Sequence, residues 1–180
     1  MSYAATVKEE LLRLPLGKSC CMLAELAALT ETSGSLSLMG GSIGVSWRVE
    51  SAALARRLFS LLKERLEVTP AIEYVRHSRL GGRRSSILSI QGEDARRLLS
   101  ALGMLTQETE GAWSLTRTSP HLSLTRKCCR RAFLRAAWLG CGTMNAPEKG
   151  YHLEWAAGNE ALAQTLGRLL EHADLSPGQH

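Results

Sequence analysis

The chain has 180 residues, of which 44% are hydrophobic and only 5% aromatic, and it carries a formal net charge of +5. This length suits one core of ordinary size or two small subdomains that share a core. No stretch approaches roughly eighteen uncharged apolar residues, and Lys8, Glu9 and Glu10 interrupt the first helical pattern. We therefore expect a cytoplasmic protein without a transmembrane span or a signal peptide. The positive charge favours a polyanionic partner.

The first third of the chain predicts two helices and a hairpin. An amphipathic helix near residues 4–14 precedes a helix over residues 20–32, which stops at Gly34. Two alternating runs joined by Gly40 and Gly41 predict the hairpin. Its second strand turns one face toward the core, and that face consists of Val45, Trp47 and Val49.

A helix, a second hairpin and another helix complete this unit. The helix has Ser51 as its N-cap, and its predicted inner face consists of Leu54, Leu58, Leu61 and Leu62. The hairpin runs from "AIEYVRHS" to "SSILSIQ" with its turn at Gly81 and Gly82, and the helix "EDARRLLSALGML" follows. A polar stretch, Thr106–Thr125, then includes a short predicted strand near Trp113.

The sequence contains an internal repeat, which is visible when the chain is compared with itself after a shift of 108 residues. Residues 20–72 and 128–180 align without gaps and share thirteen identities in 53 pairs, where chance gives roughly one in fifteen. Matches of Leu and Ala inflate such a count, because these residues are common. Four matches of other residue types do not, and they are Cys20/Cys128, Cys21/Cys129, Gly34/Gly142 and Trp47/Trp155. The second copy follows the first through its helix, hairpin and next helix, and the second hairpin has no counterpart.

The cysteine doublets do not have the spacing of a zinc ribbon or finger. Five cysteines without a secretory signal predict reduced thiols. Neighbouring helical residues point about 100° apart, so a doublet should not aim both sulfurs at one metal. The favoured interpretation is small side chains where two helix starts pack closely, with no metal or other cofactor. A site that combines one thiolate from each doublet stays open.

Two tandem αββαββ units, each led by a small-residue helix ending in Gly, resemble the LAGLIDADG fold of homing endonucleases. Residues 26–34, "LAALTETSG", match that family's signature at four positions, and residues 134–142, "LRAAWLGCG", match at their two ends. The segments "SYAATVKEELLRL", "CCMLAELAAL" with "SGSLSL", and "RKCCRRAFLRAAWLGCGTMNAPEKGYHLEW" resemble the bacterial regulators of the WhiA family more closely still. That family joins a degenerate LAGLIDADG-like domain to a C-terminal helix-turn-helix.

The resemblance implies an α+β fold of duplicated αββαββ units with pseudo-two-fold symmetry, in which the two motif helices lie side by side. The sheets would form a saddle whose concave face sits on DNA. The expected divisions are an N-terminal helix (1–18), a first LAGLIDADG-like half (19–107), a linker (108–127) and an incomplete second half (128–180). We expect the family's helix-turn-helix to be absent from this chain.

Homing endonucleases place an acidic residue at the eighth signature position of each motif helix, where the pair holds divalent metal. The corresponding residues here are Ser33 and Cys141, and neither is the hard anionic ligand that Mg²⁺ requires. Glu31 lies roughly 200° around the helix from Ser33, and its counterpart is Leu139. The sequence has no P-loop or H-E-x-x-H motif either. We therefore predict no enzymatic activity and no catalytic residues.

Arginines mark the candidate nucleic-acid contacts. The second hairpin contains "RHSRLGGRR", whose guanidinium groups suit phosphate oxygens, although a solvated turn that protects a sheet edge is the alternative. The segment "TRKCCRR" opens a helix, where positive charge opposes the macrodipole. The predicted nucleic-acid-binding residues are Arg48, Arg76, Arg79, Arg83, Arg84, Arg126 and Lys127. In contrast, Arg56–Arg57 and Arg96–Arg97 are expected on the solvent faces of helices.

The WhiA resemblance implies a DNA-binding regulator of transcription, sporulation, cell division and chromosome segregation, located in the cytoplasm at the nucleoid. Its expected partners are double-stranded DNA and other transcription regulators, with no membrane and no small-molecule substrate. The alternatives are a protein-interaction scaffold, an active LAGLIDADG endonuclease or a decayed fragment without function.

Overall fold

A computed structural model of the protein describes residues 2–77, 83–108, 112–119, 124–150 and 152–178. The helices are α1 (Tyr3–Leu12), α2 (Ser19–Ser33), α3 (Ala52–Leu66), α4 (Gly92–Ala101), α5 (Lys127–Cys141) and α6 (Glu160–Glu171). The strands are β1 (Gly34–Met39), β2 (Ser42–Val49), β3 (Ala71–His77), β4 (Arg83–Gln91), β5 (Leu105–Gln107), β6 (Trp113–Leu115), β7 (Gly142–Met144) and β8 (Leu153–Trp155). None of the described helices is both long and apolar enough to cross a bilayer.

The first half contains an antiparallel sheet of four strands in the order β1-β2-β4-β3. Val45, Trp47 and Val49 are buried, as their alternation predicts, because this face of the sheet packs against the helices. Arg48 lies on the opposite face and is exposed. The predicted hairpins are both present, although the turn at Gly81 and Gly82 lies outside the described residues.

Helix α3 begins and packs largely as its sequence predicts. The Ser51 hydroxyl accepts a hydrogen bond of 3.3 Å from the Leu54 amide, and the four predicted inward leucines are buried. The prediction for Arg57 was wrong, because this side chain is buried rather than solvated. Helical spacing places Arg57 on the same face as Leu58 and Leu61, and a buried carboxylate on α2 receives its charge.

Helices α2 and α5 form the centre of the fold and lie side by side, which confirms the predicted pairing of the repeated helices. Their starts meet at the cysteine doublets, and near their ends Gly140 lies against Thr32, so the two helices run parallel. The helices approach closely because the residues between them are small: a Cβ at Gly140 would overlap the Thr32 hydroxyl. The buried alanines of this contact layer are Ala24, Ala27, Ala28, Ala132, Ala136 and Ala137.

Gly34 and Gly142 cap the two central helices at equivalent positions of the repeat. Both have extended backbones, with φ of −80° and −86°, so a left-handed conformation is not the reason for glycine. A Cβ at Gly34 would overlap the Thr30 carbonyl, and one at Gly142 would overlap the Trp138 indole. Each glycine therefore lets the chain leave its helix tightly and enter a strand.

The second half repeats the helix–hairpin–helix path with shorter strands. Strands β7 and β8 form a two-stranded sheet, and α6 packs against α5. The Asn159 side chain caps α6 by accepting a hydrogen bond of 2.9 Å from the Leu162 amide. Between the halves, β5 pairs with β6, which contains the predicted short strand at Trp113.

Candidate nucleic-acid interface and cysteine cluster

The face of the four-stranded sheet that points away from the helices is mostly polar, and Ile87 and Glu73 lie on it across from Arg48. Ser35, Ser46 and Ser89 lie opposite one another on three adjacent strands, so their hydroxyls form a row across the sheet. Arg48 projects from the same face of β2 and is exposed. Hydroxyl and guanidinium groups both donate hydrogen bonds to phosphate oxygens without reading bases. This surface, which we call the outer sheet face, can therefore follow a nucleic-acid backbone.

The predicted arginines of the second hairpin gather at one end of the sheet. The strand register places Arg76 opposite Arg84 and His77 opposite Arg83. Arg79 falls in the turn, which lies outside the described residues. The backbone thus brings basic positions of β3 and β4 together at this end of the sheet.

Arg126 and Lys127 occupy a different place, at the start of α5. Lys127 is exposed, and one guanidinium nitrogen of Arg126 lies 3.9 Å from the Cys20 sulfur. Cys141 lies thirteen residues beyond Cys128, which at the helical rise corresponds to about 20 Å. Because α2 runs parallel to α5 and leads into β1 at its C-terminal end, Arg126 and Lys127 lie beside the cysteines and about one helix length away from the sheet.

The two positions where homing endonucleases carry acids lie at the other ends of α2 and α5. The Ser33 hydroxyl donates to the Leu29 carbonyl at 2.8 Å, and the Cys141 thiol donates to the Ala137 carbonyl at 3.3 Å. Burial raises the pKa of the Cys141 thiol, an effect that Lys8 partly opposes. Neither side chain is thus arranged as an anionic metal ligand at neutral pH.

A lysine approaches this end of α5 from the N-terminal helix. Lys8 donates a hydrogen bond of 3.2 Å to the Leu139 carbonyl, and its ammonium lies 5.3 Å from the centre of the Trp138 ring. Burial lowers the pKa of Lys8, and the neighbouring Cys141 opposes that shift. A cation at a helix C-terminus is electrostatically favourable. Sequence analysis did not single out Lys8, because nothing local in the sequence places α1 against α5.

Glu31 lies near the end of α2 and contacts the segment that links the two halves. Its carboxylate accepts a hydrogen bond of 2.9 Å from the Ser119 amide. Burial raises the pKa of Glu31, although the hydrogen bonds from Ser119 lower it in part. The residue lines a cleft together with Phe133 of α5 and Arg168 of α6. Glu31 therefore has a structural partner and does not pair with a second carboxylate in this cleft.

The cysteine doublets meet where the starts of α2 and α5 touch. The four Sγ atoms of Cys20, Cys21, Cys128 and Cys129 all lie within 4.8 Å of one another. The expectation that a doublet cannot direct both sulfurs to one point was therefore wrong. The side chains of neighbouring helical residues still diverge by about 100°, but the two helix starts face each other so closely that both sulfurs of each doublet reach the contact. We call these four residues the cysteine cluster.

The thiols of Cys20, Cys21 and Cys129 differ in pKa. Hydrogen bonding from Cys129, and to a lesser extent from Cys21 and Arg126, lowers the pKa of Cys20 to about 7. Burial is the main cause that raises the pKa of Cys21 to about 11 and that of Cys129 to about 12. The Cys20 sulfur is therefore close to ionisation at neutral pH, whereas Cys21 and Cys129 act as hydrogen-bond donors.

A buried ion triad of Glu25, Arg57 and Arg135 joins α2, α3 and α5. Arg57 of α3 donates to both carboxylate oxygens of Glu25, at 2.8 and 2.9 Å, and also to the Leu14 carbonyl at 2.7 Å. Arg135 of α5 also donates to Glu25, whose side chain is fully buried. The sequence signal for this triad was a lone acid within the apolar run "LAELAAL", which sequence analysis left unexplained.

Comparison with known proteins supports the fold and the family. Residues 19–105 match the family model of the WhiA N-terminal LAGLIDADG-like domain, and residues 130–178 match that of the WhiA LAGLIDADG-like domain. A relative named "Probable cell division protein WhiA" from Alkaliphilus metalliredigens is 34% identical over 178 residues, which cover 98% of this chain and 56% of the relative. The chain thus spans about half the length of this curated relative.

Solved structures share the same fold at low sequence identity. Full-length DUF199/WhiA from Thermatoga maritima superposes with a TM-score of 0.69 at 19% identity, over 99% of this chain and 53% of that one. I-DmoI, a LAGLIDADG homing endonuclease solved in complex with DNA and Mn, superposes with a TM-score of 0.61 at 16% identity, over 91% of this chain and 83% of that one. With two family models matched in order along it, and with paired LAGLIDADG-like helices at its centre, the chain belongs to the WhiA family.

Proposed function

We propose that this chain is the LAGLIDADG-like portion of a regulator of transcription and cell division, and that it grips duplex DNA without cutting it. The observation that carries the proposal is the polar outer sheet face with Arg48, beside the basic hairpin of β3 and β4. The relatives are named cell division proteins, and the neighbour I-DmoI was solved with DNA on the same fold. The DNA-bound neighbour favours a DNA role, and the names of the relatives favour a role in cell division.

The chemistry of the outer sheet face favours backbone contacts over sequence readout. Serine hydroxyls and arginines hold phosphates, and each neutralised phosphate releases counterions, so affinity falls as salt rises. Arg48 has Ala156 as its counterpart in the repeat, and the basic hairpin has no counterpart. Most of the grip should therefore come from the first half of the chain, and the binding should depend little on sequence.

A salt titration tests this role. The 180-residue chain is titrated with a fluorescent duplex from about 50 to 200 mM salt, and the slope of log affinity against log salt counts the phosphate contacts. Arg48→Ala should lower the magnitude of that slope by about 1. The combined variant Arg79→Ala, Arg83→Ala, Arg84→Ala should lower it by about 3, because three arginines are removed.

Arg96→Ala is the matched control, because Arg96 is exposed on α4 and does not belong to the sheet. It removes the same charge and should leave the slope nearly unchanged. The proposal fails if the wild-type chain does not bind duplex at about 50 mM salt, or if all three variants reduce affinity equally.

The absence of cleavage is part of the proposal. Ser33 and Cys141 both donate hydrogen bonds to their own helices, and Lys8 brings positive charge where a pair of acids would have to hold metal. We expect duplex DNA to remain intact on incubation with Mg²⁺ or Mn²⁺. Metal-dependent nicking that Glu31→Gln abolishes would instead identify an active endonuclease.

A further inference from the structure

Four thiols converge where α2 and α5 begin, and the proposed DNA contact does not use them. The sulfurs lie 4.0 Å apart in Cys20–Cys21 and 3.9 Å apart in Cys128–Cys129, and all pairs lie within 4.8 Å. Four sulfurs bound to one Zn²⁺ at about 2.3 Å form a tetrahedron with edges of about 3.8 Å. The doublets already have nearly this spacing, and the other pairs need to close by at most about 1 Å.

The two helix starts are electrostatically suited to an anionic group. Neither α2 nor α5 has a side-chain cap or an acidic residue in its first turn, whereas α1, α3 and α6 have Ser or Asn caps. The first turns of both helices therefore have no side-chain acceptor from a cap, and the positive ends of both helix dipoles lie beside the cysteine cluster. Arg126 lies 3.9 Å from the Cys20 sulfur, and Lys18 immediately precedes α2. Positive charge that would weaken an ordinary helix start would here offset bound thiolates.

We propose that Cys20, Cys21, Cys128 and Cys129 bind one Zn²⁺ ion as a structural tetrathiolate site that clamps the two central helices together. On binding, the four sulfurs form four Zn–S bonds, and their thiol protons pass to solvent. No electron is transferred. The resulting site has a formal charge of −2, which the helix N-termini, Arg126 and Lys18 compensate.

The compact arrangement favours a single zinc ion over other thiolate-bound groups. The four cysteine sulfurs of an iron–sulfur cluster are divided between two or four iron atoms, so the set as a whole must spread farther apart than four sulfurs that share one ion. Four equivalent soft ligands in a tetrahedron match Zn²⁺ better than the hard, octahedral Mg²⁺. The joined segments are about a hundred residues apart in sequence. One bound ion would therefore restrain a long loop of the unfolded chain.

The exposure of the four cysteines gives an ion a path to the cluster. Cys21 and Cys129 are buried, Cys20 is half-buried, and Cys128 is exposed, so the ion can enter from the Cys128 side. A Cβ at Gly17 would lie 2.9 Å from the Cβ of Cys21, so a larger residue there would crowd the cluster. This enclosure resembles structural zinc sites, whose ligands fill all four positions.

Metal content and a spectroscopic probe test the site directly. The full 180-residue chain is purified under reducing conditions, and its zinc is measured by mass spectrometry. We expect one Zn²⁺ per chain. After removal of the zinc, titration with Co²⁺ should produce the intense visible absorption of a tetrahedral cobalt–thiolate centre at one equivalent. A wild-type chain that retains no zinc and gives no such absorption overturns the proposal.

Two ligand variants and one matched control separate this site from nonspecific thiol binding. Cys128→Ser removes the exposed ligand, and Cys20→Ser removes a half-buried one from the other helix. Each should weaken zinc binding beyond the roughly 10- to 100-fold that loss of an outer-shell partner causes. Cys141→Ser changes the fifth cysteine, which lies at the far end of α5, and should bind like wild type. Equal binding by Cys128→Ser and Cys141→Ser would contradict the site.

Thermal unfolding separates a bound ion from a disulfide. A zinc chelator should lower the Tm of the wild-type chain and of Cys141→Ser, and should leave the Tm of Cys128→Ser unchanged. If the reduced chain binds no zinc and the cluster instead forms a disulfide between the helices in air, as detected by alkylation and mass spectrometry, the proposal is wrong. Should Cys128→Ser fail to fold by circular dichroism, the cobalt titration of Cys20→Ser against Cys141→Ser decides.

Discussion

The two halves of the molecule make the same helix contact with different chemistry. In the first half, Glu25 of α2 meets Arg57 of α3 in a buried ion pair. The equivalent residues of the second half, 108 positions later in the repeat, are Phe133 and Thr165, and both line one cleft between α5 and α6. The cysteine doublets, where the two central helices meet, and the glycines that cap these helices are instead identical in both halves. The difference teaches that the same helix contact can be made with a buried ion pair in one half and with uncharged side chains in the other, while the starts and ends of the central helices keep the same residues.

An ionic contact and an apolar contact fail in different ways. A buried ion pair contributes little net stability relative to well-packed apolar side chains, yet loss of one partner leaves an uncompensated charge in the core. An apolar contact loses only the transfer and cavity energy of the removed atoms. The first half should thus be more sensitive to single substitutions at this contact, and less sensitive to paired ones.

The largest expected effect comes from Glu25→Ala. It leaves Arg57 buried without its partner and deprives Arg135 of its acceptor, which should lower the free energy of unfolding by about 3–5 kcal/mol. Arg135 is partly exposed and can turn to solvent, so Arg57 should carry most of the penalty. Urea unfolding followed by circular dichroism measures the change.

The double substitution Glu25→Leu, Arg57→Met sharpens the comparison, because it removes from the first half an ion pair that the equivalent positions of the second half, Phe133 and Thr165, do not have. It should recover most of the stability that Glu25→Ala loses. Phe133→Leu at the equivalent position is the control and should cost less than about 1.5 kcal/mol. If the double variant is as unstable as Glu25→Ala, the ion pair contributes more than charge compensation, and the comparison fails.

The capping glycines give the next largest effect. Gly34→Ala and Gly142→Ala should each cost about 1–3 kcal/mol, because the added methyl group overlaps existing atoms. The cost should be larger at Gly34, where the obstacle is the Thr30 backbone, than at Gly142, where the Trp138 ring can shift. Thermal unfolding of both variants tests the order. Gly158→Ala is the control, since open space surrounds that position and the expected change is close to zero.

The smallest effect concerns Glu31, whose repeat counterpart is Leu139. Burial raises the pKa of Glu31 in the folded chain, so ionisation of this carboxyl lowers stability. The stability that the neutral Glu31 carboxyl contributes is fully present below the pKa that this group has in the unfolded chain. It is lost as pH rises through the raised pKa of Glu31 in the folded chain. Glu31→Gln keeps an acceptor for the Ser119 amide and should be more stable than wild type near pH 7, with the difference vanishing near about pH 3. A variant less stable than wild type at pH 7 would mean that the charged hydrogen bond outweighs burial.

Sequence patterns predicted the elements well because those patterns are local. The alternation of Val45, Trp47 and Val49 and the Ser51 cap depend on neighbours a few residues away, and the structure confirms them. The placement of Arg57 failed because the burial of a cation depends on a carboxylate 32 residues away. The hairpin arginines and Arg48 remain predictions as DNA contacts.

The sequence by itself determined that one chain contains two similar helices, each opening on a cysteine doublet and closing on a glycine, and the family resemblance implied that these helices pair. Periodicity and repetition are properties of the linear chain, so they can be read without coordinates. Only the tertiary structure decided which side chains meet across that centre. The convergence of four sulfurs, the Glu25–Arg57–Arg135 triad and the approach of Lys8 all join segments distant in sequence. Such contacts depend on the relative rotation and separation of packed helices, and no local pattern encodes these.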